Sequence, residues 1–199
     1  MAINRFLQSS VQSGLPKFDS VWDGRSAVGS MDAISSIVLT STVNGFEFNN
    51  IPQTYSHLQI RMTCINPNGQ SDTVGSLYLR LNSDTSSNYN THYLNGGGSP
   101  TPTLGKGGSA NSTFMYAGIQ YSTGTYFAAN IIDILNYSNT NMYTTIRAMG
   151  GADNNSNGYI QFQAGAWRNS AAVTSIQFAD NASTFSLGQY STISLYGIK

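Results

Sequence analysis

The fold of this chain is decided by residues 126–168, which read Y-F-A-A-N-I-I-D-I-L-N-Y, then S-N-T-N, then M-Y-T-T-I-R-A-M-G-G, then A-D-N-N-S-N-G, and then Y-I-Q-F-Q-A-G-A-W-R. β-Branched and aromatic residues dominate the long runs, while Asn, Ser and Gly mark each reversal. The stretch shows no helical period. The pattern therefore predicts two consecutive β-hairpins, against which the remaining segments must pack or pair.

Strand-like segments of the same kind occur on both sides of this stretch. Before it, Asn44-Gly45 lies between I-S-S-I-V-L-T-S-T-V and F-E-F, which predicts a hairpin turn. Strict alternation predicts that every second side chain points inward, and that Tyr78 and Arg80 point outward. The predicted inward residues are Leu58, Ile60, Met62, Cys64, Leu77, Leu79, Leu81, Ile193 and Leu195.

About ten short strands, separated by turn signals and without an amphipathic helix, predict an all-β domain over residues 33–199. A β-sandwich of the jelly-roll type is the most economical arrangement for a domain of this size. Residues 83–112 are rich in Gly, Ser and Pro and alternate weakly. They are predicted to form a long loop, interrupted at most by one short strand around Tyr89–Leu94.

Residues 1–32 differ from everything that follows, because they carry scattered large apolar side chains without a sustained period. A disordered tail rarely carries Trp and Phe, since these side chains favour burial. The segment is therefore predicted to be an extended arm that is buried against a neighbouring subunit; packing on the chain's own domain and disorder are the alternatives. The predicted anchoring residues are Phe6, Leu7, Leu15, Phe18, Val21 and Trp22.

Charge is scarce in this sequence. Only 9% of the 199 residues are charged, and nine basic residues balance nine acidic ones. Such a chain has no electrostatic footprint for nucleic acid or an anionic membrane, and a neutral surface suits packing against other chains. A secreted β-protein with a Ser/Thr/Asn-rich exterior would have the same composition. The sequence has no signal-peptide pattern and no membrane-spanning apolar run, so folding in a cytoplasm is expected.

Few side chains suggest chemistry. Cys64 is the only cysteine, so an intramolecular disulfide is excluded and a buried free thiol is predicted. His57 and His92 lie in no catalytic motif, and the Gly-Lys-Gly-Gly at 105–108 lacks the spacing of a phosphate loop. The nine acids are scattered singly, unlike the facing carboxylates of glycoside hydrolysis. Neither an enzymatic activity nor a cofactor is expected.

Residues 153–158, D-N-N-S-N-G, match the first half of a calcium-binding loop. The pattern then requires a bidentate Glu, and Ala164 occupies that position. Without this ligand the site would lose its main charge. A turn that joins two strands fits the flanking alternation better, so no metal is expected.

Asp133 is the acid inside the apolar run I-I-D-I-L. A register that pairs Tyr137 with Tyr143 places Asp133 opposite Arg147, and a cross-strand ion pair would neutralise both groups. A shift by one residue would break this pairing. The predicted role of the pair is structural.

Aromatic and neutral polar residues leave carbohydrate binding as a second hypothesis. Twelve Tyr and two Trp occur among many Asn, Ser and Gly, which suit ring stacking and neutral hydrogen bonding. The same residues also build ordinary strand pairs and wet protein interfaces.

Several stretches of the chain resemble a family of small β-rich virion proteins of tailed bacteriophages, especially those of cyanobacterial and other aquatic hosts. The resemblance covers about residues 34–199, and its segments recur in the same order. These segments are F-N-N-I-P-Q-T-Y-S-H-L-Q-I-R (48–61), L-Y-L-R-L-N-S-D (77–84), N-Y (88–89), I-I-D-I-L-N-Y-S-N-T-N (131–141), A-G-A-W-R-N-S-A-A-V-T-S-I (164–176) and L-Y-G-I-K (195–199).

The resemblance implies a jelly-roll domain, usually in a homotrimer, that acts as a capsid cement or decoration protein or forms the exposed tip of a tail or head fibre. It implies no catalytic residue. A long fibre needs a shaft, and only residues 1–32 precede this domain, so the expected role is a cement protein of the virion whose arm clasps the major capsid protein. A tail or fibre-tip component that contacts the host receptor, such as a surface glycan, is the alternative, and a non-viral sugar-binding module is another.

Overall fold

The computed structural model describes residues 30–67, 74–98, 103–122, 126–153, 158–179 and 186–199. These ranges contain twelve β-strands, two more than predicted, and no helix. The strands are β1 (Met31–Val38), β2 (Phe46–Phe48), β3 (His57–Cys64), β4 (Val74–Leu81), β5 (Tyr89–Gly98), β6 (Thr103–Ser112), β7 (Met115–Tyr121), β8 (Ala128–Leu135), β9 (Thr144–Asp153), β10 (Gly158–Trp167), β11 (Ile176–Phe178) and β12 (Thr192–Ile198). Within the same ranges, no helix has the length and apolarity needed to cross a membrane.

The two predicted hairpins of residues 126–168 are confirmed. β8 pairs with β9 and β9 pairs with β10, both antiparallel and without a register shift. Three isoleucines lie in β8, and the Ser-Asn-Thr-Asn segment turns the chain before β9. This three-stranded meander lies at the centre of the larger of two sheets.

Two sheets pack together into a β-sandwich, which confirms the predicted fold class. The eight-stranded sheet has the order β1-β12-β3-β8-β9-β10-β5-β6, and the four-stranded sheet has the order β2-β11-β4-β7. Eight of these strands are nested in pairs, from the outermost in sequence to the innermost: β1 with β12, β2 with β11, β3 with β8, and β4 with β7. The other four strands, β9, β10, β5 and β6, extend the large sheet beyond β8. Residues Asp32–Lys199 form one compact unit.

The core lies between the two sheets and consists of the residues that alternation predicts. All nine predicted inward side chains of β3, β4 and β12 are at most 3% exposed. From β8 and β9, Ile132, Ile134 and Ile146 complete the same cluster. At one end of the sandwich the rings of Tyr89 and Trp167 stack with centroids 6.5 Å apart. The alternation of apolar residues thus identified the inner faces of β3, β4 and β12 correctly.

The predicted hairpin at Asn44-Gly45 is wrong. β1 lies in the large sheet and β2 in the small sheet, so the chain crosses between sheets here. A two-residue type I′ turn needs positive φ at both central residues and a type II′ turn at the first, and neither Asn44 nor Gly45 has positive φ. Instead, the backbone of Val43 exchanges hydrogen bonds of 2.9 and 2.8 Å with Leu187. The pairing partner of this segment is therefore distant in sequence.

The predicted loop over residues 83–112 is also wrong. β5 and β6, which have ten residues each, form an antiparallel hairpin at the edge of the large sheet. Its glycines lie beneath large side chains from neighbouring positions. A Cβ atom on Gly97 would be 2.7 Å from Cδ2 of Tyr159, and one on Gly107 would be 2.6 Å from Cζ of Tyr93. These rings cover the glycine backbone and supply the packing that glycine cannot, which composition alone does not reveal.

Arg80 alternates with the core residues Leu79 and Leu81 and so points outward, as predicted, but its side chain is buried. Its side chain is only 4% exposed, and Nε donates to the carbonyl oxygen of Thr113 at 3.0 Å. On the same strand as Arg80, Tyr78 contacts Phe114, which precedes β7, and Tyr116 in β7. The three rings form a mutual cluster with centroids 4.6 to 5.6 Å apart. Part of the outer face of the small sheet is therefore buried.

Candidate binding surface

The outer face of the large sheet carries a continuous apolar area, which begins with one row of apolar side chains across four strands. In the paired register, Ile131 lies beside Met149, Met149 beside Phe162, and Phe162 beside Leu94. Their side chains are between 39% and 57% exposed. Arg61 on β3 precedes this row and Lys106 on β6 ends it.

A second row runs parallel to the first, two residues away along each strand. Its members are, in order, Thr192, Thr63, Ala129, Gly151, Ile160, Gly96 and Leu104. Ile160 is 66% exposed and Leu104 is 85% exposed, and each stands beside glycine. Large side chains thus alternate with gaps along this row.

Six of the twelve large apolar residues exposed in the described ranges belong to these two rows. Their combined exposed surface is on the order of 600 Å², at the upper end of the roughly 300–600 Å² of the largest apolar patch on a typical monomeric protein. Such patches, when bordered by polar residues, mark interaction sites. We call the six residues the outer patch: Leu94, Leu104, Ile131, Met149, Ile160 and Phe162.

Two shallow depressions border Ile160, one on each side. The first has a volume of about 490 Å³, and Thr63, Ala129 and Gly151 contribute to its floor. The second has a volume of about 590 Å³ and is lined by the glycines of β5 together with Gly151. Both are open and predominantly apolar, so the outer patch combines protruding aliphatic side chains with recesses of similar size.

The predicted Asp133–Arg147 pair forms the margin of the outer patch. The two residues are direct partners in the β8–β9 register, and Nη2 of Arg147 lies 2.8 Å from Oδ2 of Asp133. Gln59 donates to the other carboxylate oxygen at 2.9 Å. Arg147 is 54% exposed and Asp133 is 16% exposed, so the pair lies on the outer face, partly in solvent, rather than in the core.

The remaining residues considered for chemistry do not come together. Nδ1 of His57 accepts a hydrogen bond of 3.0 Å from the backbone N–H of Asn136, which is a structural role. His92 is exposed on β5, opposite Gly108. In the described ranges, no three His, Cys, Asp or Glu side chains are arranged so that they could hold a metal ion.

Cys64 is a buried free thiol, as predicted. Burial raises the pKa of its thiol from 9.0 to about 12, although the amide of Asn130 acts in the opposite direction. The thiol is therefore protonated and inaccessible in the native state, which removes it from any nucleophilic role.

The calcium-like segment joins two paired strands. Asp153 ends β9 and Gly158 begins β10, and the two residues are partners in the register. Residues 154–157 lie outside the described residues. Ala164, at the position of the missing Glu ligand, is paired with Arg147 and His92.

Residues 1–29 of the predicted arm lie outside the described residues. The structure therefore places none of the predicted anchoring residues, which are Phe6, Leu7, Leu15, Phe18, Val21 and Trp22. The outer patch, by contrast, was missed by the sequence reasoning. One signal was present in β8, which carries large apolar residues on both faces, as in Ile131-Ile132. In β10 the alternation is inverted, because Ile160 and Phe162 lie on the outer face while Gln161 and Gln163 are buried.

No protein-family model, no curated protein and no solved structure matches this chain.

Proposed function

We propose that this chain is a structural protein of a tailed-bacteriophage particle, namely a cement or decoration protein that binds the shell of major capsid protein and stabilises it. One observation carries the proposal. The nested pairing of β1 with β12, β2 with β11, β3 with β8 and β4 with β7 supports the jelly-roll domain type that the sequence resemblance implies. The β5–β6 and β9–β10 hairpins then enlarge one of its two sheets.

The chemistry of the described surface supports a role in association. The side chains considered for catalysis are separated or engaged in structural hydrogen bonds, whereas the outer patch offers apolar area to a partner. Scarce charge removes the long-range repulsion that would oppose dense packing of copies on a shell.

The proposed attachment uses residues 1–32. Burying the aromatic side chains of Phe6, Phe18 and Trp22 in grooves between shell subunits would contribute several kcal/mol per chain at about 25 cal/mol per Å². Symmetric copies multiply this contribution over the particle, so the shell resists internal DNA pressure. The mechanism is mechanical and needs no cofactor.

The copy number of this chain per purified particle tests the proposal. Quantitative mass spectrometry against the major capsid protein should give hundreds of copies. A handful of copies would overturn the capsid role and assign the protein to the tail, where binding of the isolated protein to a glycan array would test receptor contact.

Attachment is tested separately with full-length variants. Replacing Phe6, Phe18 and Trp22 together by Ala should abolish binding to particles that lack this protein, while circular dichroism retains the β-sheet spectrum. Tyr143, which is 57% exposed in the β8–β9 turn, provides a matched control, and Tyr143→Ala should bind normally. Undiminished binding of the triple variant would overturn the anchoring role of the arm.

A further inference from the structure

We propose that the outer patch pairs with the same patch of a second copy of this chain, about a two-fold axis that runs parallel to the strands between β9 and β10. The proposal concerns the domain itself and does not depend on a role in a virus particle. It follows from the register of the large sheet, the shape of the patch, its area and its charges.

Gly151 gives the first indication, because the fold of the single chain does not require glycine there. A Cβ atom at this position would meet nothing closer than 3.7 Å, which is ordinary van der Waals contact. At Gly165 in β10, in contrast, a Cβ would collide with the backbone oxygen of Asn90. The recess above Gly151 is therefore unfilled within one copy, and it has room for an aliphatic side chain.

The register shows what would fill this recess. Rotation about the proposed axis places β9 of one copy over β10 of the other, β8 over β5, and β3 over β6. Each of the two rows then lies over the same row of the other copy. Ile160 of one copy then lies over Gly151 of the other, and Leu104 lies over Thr63. Both of these acceptors line the depression of about 490 Å³. In the first row, Met149 faces Phe162.

The area of the outer patch suits such an interface. Its roughly 600 Å² of exposed apolar side chains, with the polar margin added, approaches the ~800 Å² per partner of stable protein interfaces. Face-to-face packing of two sheets with nearly aligned strands is also common in proteins, and the side chains of the two faces then interdigitate. Two copies would thus bury the patch in the manner of the sandwich core.

The charges at the margin allow the same arrangement. The proposed axis brings Asp133 of one copy opposite His92 of the other, and Arg147 opposite the small side chain of Ala164. Arg61 and Lys106 face each other only at the outer rim. There the guanidinium of Arg61 is directed along its own sheet, because Nε donates to Gln59 at 3.0 Å and the group lies over the ring of Tyr196. Added salt should therefore not dissociate the two copies.

Sedimentation velocity of the full chain from micromolar to about 100 µM protein tests the proposal, with Met149→Lys as the disrupting variant. The wild type should form dimers, and Met149→Lys should raise the dissociation constant about tenfold or more, since a central charge is buried without a partner. Met142→Lys is the matched control: Met142 is 46% exposed against 53% for Met149, and it lies in the β8–β9 turn. This control should dimerise like the wild type.

A second variant tests the recess directly. Gly151→Leu fills the space above β9 with little effect on the single chain, so its thermal unfolding as a monomer should match that of Met149→Lys, while dimerisation is lost. Wild-type protein that stays monomeric throughout, or dimers that survive both Met149→Lys and Gly151→Leu, would overturn the proposal. A trimer that neither variant affects would place self-association on another surface. Binding of the monomer to purified shell protein that Met149→Lys abolishes would assign the patch to that partner instead.

Discussion

The indole N–H of Trp167 donates a hydrogen bond of 2.8 Å to Oδ2 of Asp84, which ties the end of β10 to the turn between β4 and β5. Asn88 donates to the same oxygen at 2.9 Å, and the backbone N–H of Ser86 donates to Oδ1 at 2.8 Å. Partial burial alone would raise the pKa of Asp84, but these hydrogen bonds outweigh it and lower the pKa from 3.8 to about 2. The carboxylate thus organises the turn that leads into the β5–β6 hairpin.

Replacing Asp84 by Asn should therefore destabilise the domain in a pH-dependent way. We expect a loss on the order of 1 kcal/mol at neutral pH, because charge-assisted hydrogen bonds weaken in a partly solvated turn. A carboxyl whose pKa is lowered by folding stabilises above its unfolded pKa, and the contribution is lost as pH falls from about 4 to about 2. Urea unfolding of both proteins should give a difference that shrinks over this range; a constant difference would contradict the assignment to ionised Asp84.

Asn130, on the inner face of β8, links the two sheets through its side-chain amide. Oδ1 accepts from the N–H of Ile119 at 2.7 Å, and Nδ2 donates to the carbonyl oxygen of the same residue at 2.8 Å. In this way one side chain of the large sheet satisfies both backbone groups of a residue in β7, at the edge of the small sheet. Asn130 is only 3% exposed, so water cannot replace it readily.

Asn130→Leu should accordingly cost about 2–4 kcal/mol, because two buried backbone groups would lose their partner. The free energy of unfolding from chemical denaturation measures this loss. Asn141→Leu is the matched control, since Asn141 is exposed in the β8–β9 turn, and its effect should stay within about 0.5 kcal/mol. Equal, small effects of the two substitutions would show that the hydrogen bonds of Asn130 contribute no net stability.

Local pattern was sufficient to predict the sandwich and the inner faces of β3, β4 and β12, where every second side chain is apolar and buried. It failed in β10, where Gln161 and Gln163 are buried and Ile160 and Phe162 are exposed. It was insufficient where partners come from elsewhere in the chain. The β5–β6 glycines form strands because Tyr93 and Tyr159 cover them, and Asn44-Gly45 crosses between sheets because Val43 pairs with Leu187. The outer patch was missed for a related reason: its residues become neighbours only through the register of five strands.

The Asp133–Arg147 pair should contribute less than its place in an apolar run suggests. Arg147 is 54% exposed, and exposed pairs contribute about 0–1 kcal/mol. Asp133→Asn should therefore cost at most about 1 kcal/mol and still accept from Gln59. A double-mutant cycle with Arg147→Met at low and high salt measures the coupling between the two residues. The coupling should decrease with salt, and a larger, salt-independent value would contradict the exposed position.

Two glycines on neighbouring strands should respond oppositely to the same substitution. Gly165→Ala would bring a Cβ against the backbone oxygen of Asn90 and within 2.9 Å of Cε of Met115, which is fully buried. Because backbone cannot move aside cheaply in a paired strand, we expect a loss of about 2–3 kcal/mol. Gly151→Ala meets only ordinary contacts and should be neutral or slightly stabilising, since alanine restricts the unfolded chain. Thermal unfolding of the two variants, compared in a monomeric Met149→Lys background, measures the difference without interference from self-association. If Gly151→Ala proved as destabilising as Gly165→Ala, the recess above β9 would belong to the fold of the single chain and would not be available to a second copy.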